Sequence, residues 1–305
     1  MNARLKQRFP RFCGWLHNCR ERYYMFLGKH APVTLMKIWY KHVFKEEINL
    51  ENPQTIDEKI NWMKLHSDIS EWVRCADKFE VRNYVKEHGL GSVLNEVYGV
   101  YDDASEIDFD KLPQSFVIKS TNGGGGKSVL IVKDKNTLDY EQARTQINGW
   151  LRMDVSHRYY EPQYERIHPR LLVEKFLAPV EGESSLVDYK INCFNGRAHS
   201  VFLCSDRKFN ESVHFSVYDL DWNLHPESIV PAYRTEKVYP RPSSLNKMIE
   251  YSRILSKGIP FVRVDWYEID GEPVFSEMTF TPGGAFQGFY SKEFRLELGS
   301  QLDVL

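Results

Sequence analysis

Cysteine is scarce in this 305-residue sequence. Cys13, Cys19, Cys75, Cys193 and Cys204 are odd in number and scattered, with no C-x-x-C pair. That pattern excludes a disulfide framework or zinc knuckle, and a reducing cytoplasm is the expected compartment. No run reaches the ~18–20 apolar residues of a membrane-spanning helix, and the N-terminus lacks the apolar core of a signal peptide. With 18 Gly and 14 Pro, collagen-like and low-complexity readings fail. G-x-S-x-G, H-E-x-x-H and a convincing Cys/His pair are missing, and the ten histidines show no ligand spacing, so nucleophilic and zinc-hydrolase chemistry have no foothold. Aromatics are plentiful: seven Trp, 17 Tyr and 18 Phe in a chain that is 42% hydrophobic. That excludes disorder and suffices for one large domain or two modest ones.

The net charge of −2 conceals an asymmetry. Residues 1–45 carry ten Lys/Arg against one acid, Glu21, and the remainder carries thirty bases against forty-one acids. An acidic body excludes general nucleic-acid binding. Residues 1–48 form a basic helical segment with Trp15, Tyr23, Phe26, Trp39 and Phe44 interleaved. Two readings compete for it: a helical pair packed on the body, or a peripheral contact with the inner face of the cytoplasmic membrane.

Residues 49–305 read as the main domain. Thr55 followed by Glu58 predicts a capping box opening a helix. Further helices are expected over 77–87, ended by Gly89, around 138–152 and near 244–257. Strand pairs flank a glycine run, Asn195-Gly196 and Asp270-Gly271, and Asn195-Gly196 predicts a type I′ turn. Helices and hairpins in clusters, without a βα repeat, make the fold class α+β.

The run Thr121-Asn122-Gly123-Gly124-Gly125-Gly126-Lys127-Ser128 is not a P-loop, because Ser128 to Val132 reads as a strand where a P-loop would open a helix. The run reads as a hairpin tip whose bare backbone can close over phosphates, with Lys119 beside them. The competing reading is a surface hairpin without a ligand. In the last hairpin, Arg263 and Asp265 share one strand face, as do Glu277 and Thr279. A two-residue turn alone sets Glu277 opposite Val264. A three-residue turn or one bulge, the expectation adopted, sets it opposite Asp265 and creates a paired-carboxylate Mg²⁺ site.

These segments, with Asn52 to Trp62, Ala76-Asp77-Lys78-Phe79, Asp188-Tyr189-Lys190, Asp219 to Trp222 and Ser276 to Gly284, resemble the ATP-grasp superfamily. The resemblance is closest to its TupA-like branch of capsule and teichuronopeptide biosynthesis, and spans residues 50–300. It implies two α+β subdomains with antiparallel sheets gripping ATP. By the same resemblance, Lys78 and Lys119 contact phosphates and Gly123, Gly124, Gly125 and Gly126 form the closing loop. Glu174 with Lys175, Phe176 and Leu177 forms the adenine-side hinge, Asp188 lies near the ribose and Lys190 near the phosphates. Asp265 and Glu277 hold Mg²⁺, and Arg263 stabilises the transition state. The usual Asn two residues after the Glu is Thr279 here, a threonine that TupA-like sequences tend to share.

Such enzymes activate a carboxylate as an acyl phosphate for attack by an amine, which needs positioning and charge but no protein nucleophile. The implied partners are a uronic-acid saccharide or polymer and an amine. Arg207 and the amides of Gly283 and Gly284 are the candidates for holding the carboxylate. Rival readings are a glycosyltransferase, resting on Asp108-Phe109-Asp110 and Asp219-Leu220-Asp221, a phosphotransferase at the same ATP site, and a non-catalytic polymer-binding protein.

Overall fold

The computed structural model describes residues 10–124, 126, 128–179, 185–204, 214–235 and 237–304. Gly125 and Arg207, two of the expected site residues, lie outside the described residues. Helices α1 (Pro10–His30) and α2 (Pro32–Phe44) open the chain. Met36 and Tyr40 of α2 are buried with Ile48 and Phe286, and Trp39, Val43 and Phe44 pack against that cluster.

Helix α3 (Ile56–His66) begins at the expected capping box, with Thr55 and Glu58 each accepting the other's backbone N–H. Helices α4 (Ser70–Ala76) and α5 (Val81–Glu87) follow. The helix expected from Asp77 starts four residues late. The Asp77 carboxylate accepts from the N–H groups of Phe79 and Glu80 at 2.7 and 3.0 Å and closes a turn instead. Helix α4, not expected from the sequence, buries Trp72 and Cys75.

Two antiparallel sheets make the body α+β. The first joins β1 (Val97–Tyr101), β2 (Phe116–Ser120), β3 (Val129–Val132) and β4 (Leu171–Lys175) in the order β1-β4-β2-β3. Ala143, Ile147 and Trp150 of helix α6 (Tyr140–Trp150) close the core of this layer against Phe116, Ile118 and Val173. The second sheet joins β5 (Asp188–Phe194), β6 (Arg197–Cys204), β7 (Phe215–Tyr218), β8 (Val262–Ile269) and β9 (Glu272–Thr279) in the order β7-β6-β5-β8-β9. A one-turn helix α7 (Pro162–Glu165) precedes β4; α8 (Leu245–Leu255) and α9 (Lys292–Ser300) pack on the larger core.

Local chemistry sets the hairpins. Asn195 and Gly196 have φ of 46° and 80°, and Asp270 and Gly271 have 51° and 77°, the paired positive φ of type I′ turns. From the second turn the pairing runs Tyr267 to Val274 and Trp266 to Phe275, then shifts so that Asp265 faces Glu277 and Arg263 faces Thr279. Ser276 is the extra residue of this one-residue bulge. Without it Glu277 would sit opposite Val264, on the other face of the sheet. That other face is apolar: Val262, Val264 and Trp266 are buried, and Trp266 Nε1 donates to Ser252 Oγ on α8 at 2.8 Å.

Candidate active site

Strands β5, β8 and β9 place Asp188, Lys190, Arg263, Asp265, Glu277 and Thr279 on one face. Lys190 pairs across to Asp265 and Asp265 to Glu277; Arg263 pairs with Thr279 in the neighbouring rung. Asp265 is fully buried. Arg263 grips it bidentately, Nε to Oδ1 and Nη2 to Oδ2, each at 2.7 Å, and Lys190 Nζ also donates to Oδ2. Lys190 Nζ lies 3.7 Å from Asp188 Oδ1. Burial lifts the Asp265 carboxyl above its usual range, with Arg263 and Lys190 opposing. Glu277 is more open. It accepts from Thr279 Oγ1 at 3.1 Å, and Lys78 Nζ and Arg263 Nη2 each lie 3.7 Å from it. Burial alone would raise this carboxyl; Lys78, Lys190 and Arg263 outweigh burial and hold it well below the usual range.

The smaller sheet supplies the opposing wall. Lys119 on β2 forms an ion pair with Glu174 on β4 at 2.6 Å, and Arg82 Nη1 lies 3.8 Å from the same carboxylate. Lys78 connects the two walls: its ammonium donates to the carbonyl of Gly123 and approaches Glu277, and its backbone N–H donates to Thr121 at 3.0 Å. The base of the glycine tip is therefore anchored. At Gly123 a Cβ would lie 1.8 Å from Ser128 Oγ, whereas Gly124 has open space. A side chain at the first position would force the Ser128 hydroxyl aside; the second tolerates one sterically.

At the expected hinge, Lys175 donates its N–H to Glu96 at 2.9 Å, and its carbonyl accepts from Asn95 Nδ2 at 2.9 Å. Both of its backbone groups are engaged by the segment before β1. Beyond β9, the two bare amides expected at Gly283 and Gly284 reduce to one. Gly284 is buried and donates to Thr281 at 2.9 Å, whereas Gly283 is exposed. The Gly284 φ is 69°, and a Cβ there would meet the Tyr159 ring at 2.7 Å.

A group of residues beneath this turn was not singled out from the sequence. Lys64 on α3 donates to the carbonyls of Gly284 and Tyr159 at 2.6 and 3.1 Å and to Asn61 Oδ1 at 3.1 Å. Asn61 donates to Ala285 at 3.0 Å, and Asp57 accepts from the Gln287 N–H at 2.8 Å. Thr281 donates to Glu161 at 2.6 Å and accepts from Gln163 at 2.8 Å. Burial pushes the Lys64 ammonium down to about 7, against the pull of Glu161 and Asp57. Burial raises Asp57 to about 6, with Arg295 opposing. The sequence carries a signal for them: Asp57, Asn61 and Lys64 recur at helical spacing and form a polar stripe along α3.

The two D-x-D patterns are explained by their own turns. Asp108 pairs with Lys111 at 3.0 Å, and Asp219 accepts from the N–H groups of Asp221 and Asn223 at 3.0 and 2.8 Å.

Comparison with known proteins finds the TupA-like ATP-grasp family matching residues 58–303. No curated protein matches the sequence. Among solved structures the chain is similar to the D-alanine–D-alanine ligase of Bacillus anthracis, at 18% identity and TM-score 0.40, covering 68% of this chain and 57% of that one. It is also similar to the D-alanine–D-alanine ligase of Helicobacter pylori, at 15% and 0.45, covering 83% and 68%. A third is the carboxyaminoimidazole ribonucleotide synthase of Aspergillus clavatus complexed with ATP, at 10% and 0.44, covering 74% and 52%. The chain thus spans little more than half of the first of these ligases.

Proposed function

This chain belongs to the TupA-like ATP-grasp family, and from that premise we propose that it is an ATP-dependent carboxylate–amine ligase. Its place would be capsule or cell-surface polysaccharide synthesis, where it joins an amine or amino acid to a uronic acid carboxylate. The observation that carries the reading is the charge cluster between the two sheets. Lys78, Lys190 and Arg263 are matched there against Asp188, Asp265 and Glu277. A metal-bound polyphosphate is the ligand that answers both signs, its phosphates taking the cations and its metal the carboxylates.

Among the described residues no cluster of three or more His, Cys, Asp or Glu could hold a metal by itself. Mg²⁺ shared with nucleotide phosphates needs only one or two carboxylates, and Glu277 opposite Asp265 fits that donor set. Asp265 and Glu277 would hold the ion, which supplies positive charge against the phosphates. Lys78, Lys119 and Lys190 would hold phosphate oxygens, and Glu174, Phe176, Leu177 and Asp188 would lie along the nucleoside. The substrate carboxylate oxygen attacks the γ-phosphorus and ADP leaves; Arg263 stabilises the charge on the phosphoryl group in flight. The amine nitrogen then attacks the acyl carbon of the acyl phosphate, loses a proton, and inorganic phosphate departs. Gly283 stands at the mouth where the carboxylate enters.

Purified protein given ATP, Mg²⁺, hydroxylamine and a panel of uronic acids should form hydroxamate, the trapped acyl phosphate. ATP consumption with phosphorylated sugar and no hydroxamate would instead make it a phosphotransferase. Lys119→Ala removes one charge-assisted contact, about 1.5–3 kcal/mol, and should weaken ATP binding by about one to two decades. Calorimetry showing unchanged affinity would place the phosphates elsewhere.

A further inference from the structure

We propose that α1 is an interfacial helix whose outer face lies on an anionic lipid surface. The structure separates the aromatic residues of the N-terminal segment into two sets. Trp39 and Phe44 turn inward to the body. Phe12, Trp15, Leu16, Tyr23 and Phe26 are 56, 60, 38, 52 and 59% exposed. At 100° per residue, Phe12, Leu16, Tyr23 and Phe26 fall within an arc of roughly 80°, with Trp15 at its edge. The stripe runs roughly 20 Å along the helix.

The opposite side of α1 is the docked side. Glu21 accepts from Arg158 Nε at 2.5 Å and Nη2 at 3.1 Å, and Tyr24 lies 5.0 Å from Trp39 between ring centres. Gly28 abuts the backbone of His157 so closely that a Cβ would lie 1.8 Å from its carbonyl oxygen. These contacts fix the rotation of the helix, so the aromatic stripe faces away from the body.

Charge selects the occupant. Arg20 and Arg22 flank the stripe at roughly 80° on either side, Lys29 follows, and all three are exposed. The helix has one acid, Glu21, and it is turned inward against Arg158. Bases that frame Trp, Tyr and Phe match the boundary between acidic headgroups and acyl chains. A second copy of this chain fits poorly, because a two-fold pairing of stripes would set these bases against one another. No helix among the described residues is long and apolar enough to cross a membrane, so the contact is peripheral. Arg158 donates to the Tyr159 hydroxyl and Tyr159 packs on Gly284, so the docked side of α1 is linked through these two residues to the turn that follows β9. Lipid binding of this kind is independent of the proposed chemistry, since it is read on the protein alone.

The test is co-sedimentation of the full chain with phosphatidylcholine vesicles and with vesicles containing phosphatidylglycerol, at low and high salt. Binding is expected to the anionic vesicles and to fall with salt. Arg20→Gln, Arg22→Gln and Lys29→Gln together should weaken it about a hundredfold, at about fivefold per base. Trp15→Ser, Tyr23→Ser and Phe26→Ser together should abolish it while leaving the melting temperature near wild type, because all three side chains are exposed. Equal partitioning of wild type and both variants would overturn the proposal. So would a wild-type dimer in sedimentation that the serine substitutions dissolve, without vesicle binding.

Discussion

Asp265→Asn should eliminate ATP turnover and lower stability by about 3–5 kcal/mol, the cost of leaving buried charge uncompensated. Asp265 has no solvent exposure, and its oxygens answer both Arg263 and Lys190. An amide of the same shape cannot neutralise two cations. Glu277→Gln makes the informative contrast. Its ion-pair partners lie at 3.7 Å and its side chain is partly open, so turnover should be lost with a smaller loss of stability than in Asp265→Asn, because the cations that hold its carboxyl low still lose a partner. Both variants are followed by thermal denaturation and by phosphate release. Wild-type turnover in both would remove the carboxylate pair from the chemistry, and equal destabilisation would mean that Glu277 is as structural as Asp265.

Lys64→Met should change how stability depends on pH. The Lys64 ammonium falls from 10.5 to about 7 on folding, because burial penalises its charge. Between those values the unfolded chain binds more protons than the folded one, so the contribution of Lys64 to stability rises with pH across that window. The slope is up to about 1.4 kcal/mol per pH unit. Below about pH 7 both states are protonated and the burial penalty is at its fullest. Urea unfolding of wild type and Lys64→Met at pH 7, 8, 9 and 10 should therefore show the difference moving steadily in favour of wild type. A difference independent of pH would mean that Lys64 keeps an ordinary pKa. The variant also strands the carbonyls of Gly284 and Tyr159 that Lys64 now satisfies. Turnover should fall at every pH, because the turn that follows β9, the strand of Glu277 and Thr279, loses its anchor.

Much of the site was legible in the chain because its determinants are short-range. Asn195-Gly196 and Asp270-Gly271 specify their turns through positive φ, which Gly adopts without strain and Asn or Asp with little. Alternation along β8 puts Arg263 and Asp265 on one side whatever the strand pairs with. Thr55 and Glu58 close a capping box within four residues. Lys119, at the end of an apolar strand, and the glycine tip stand out through local signals of this kind, whereas Lys78 stands out only through the resemblance to ATP-grasp sequences.

Whether Glu277 meets Asp265 was another matter. It turns on a single inserted residue, Ser276, and local sequence does not distinguish a regular ladder from a bulged one; packing on both faces of the larger sheet selects between them. The clamp from Lys64 to Gly284 joins positions 220 apart, and no window of sequence contains both. The same holds for α1 and α2. They share basic and aromatic composition, yet α2 buries Met36 and Tyr40 while α1 shows Phe12, Trp15, Tyr23 and Phe26 to solvent, because Glu21, Tyr24 and Gly28 find partners on the body that fix the rotation of α1. Turn type, strand face and the capping box at Thr55 depend on interactions within a few residues and are therefore written in the sequence. Register, the fate of buried charge and the outward face of a helix depend on which distant surfaces meet, and only the folded chain decides that.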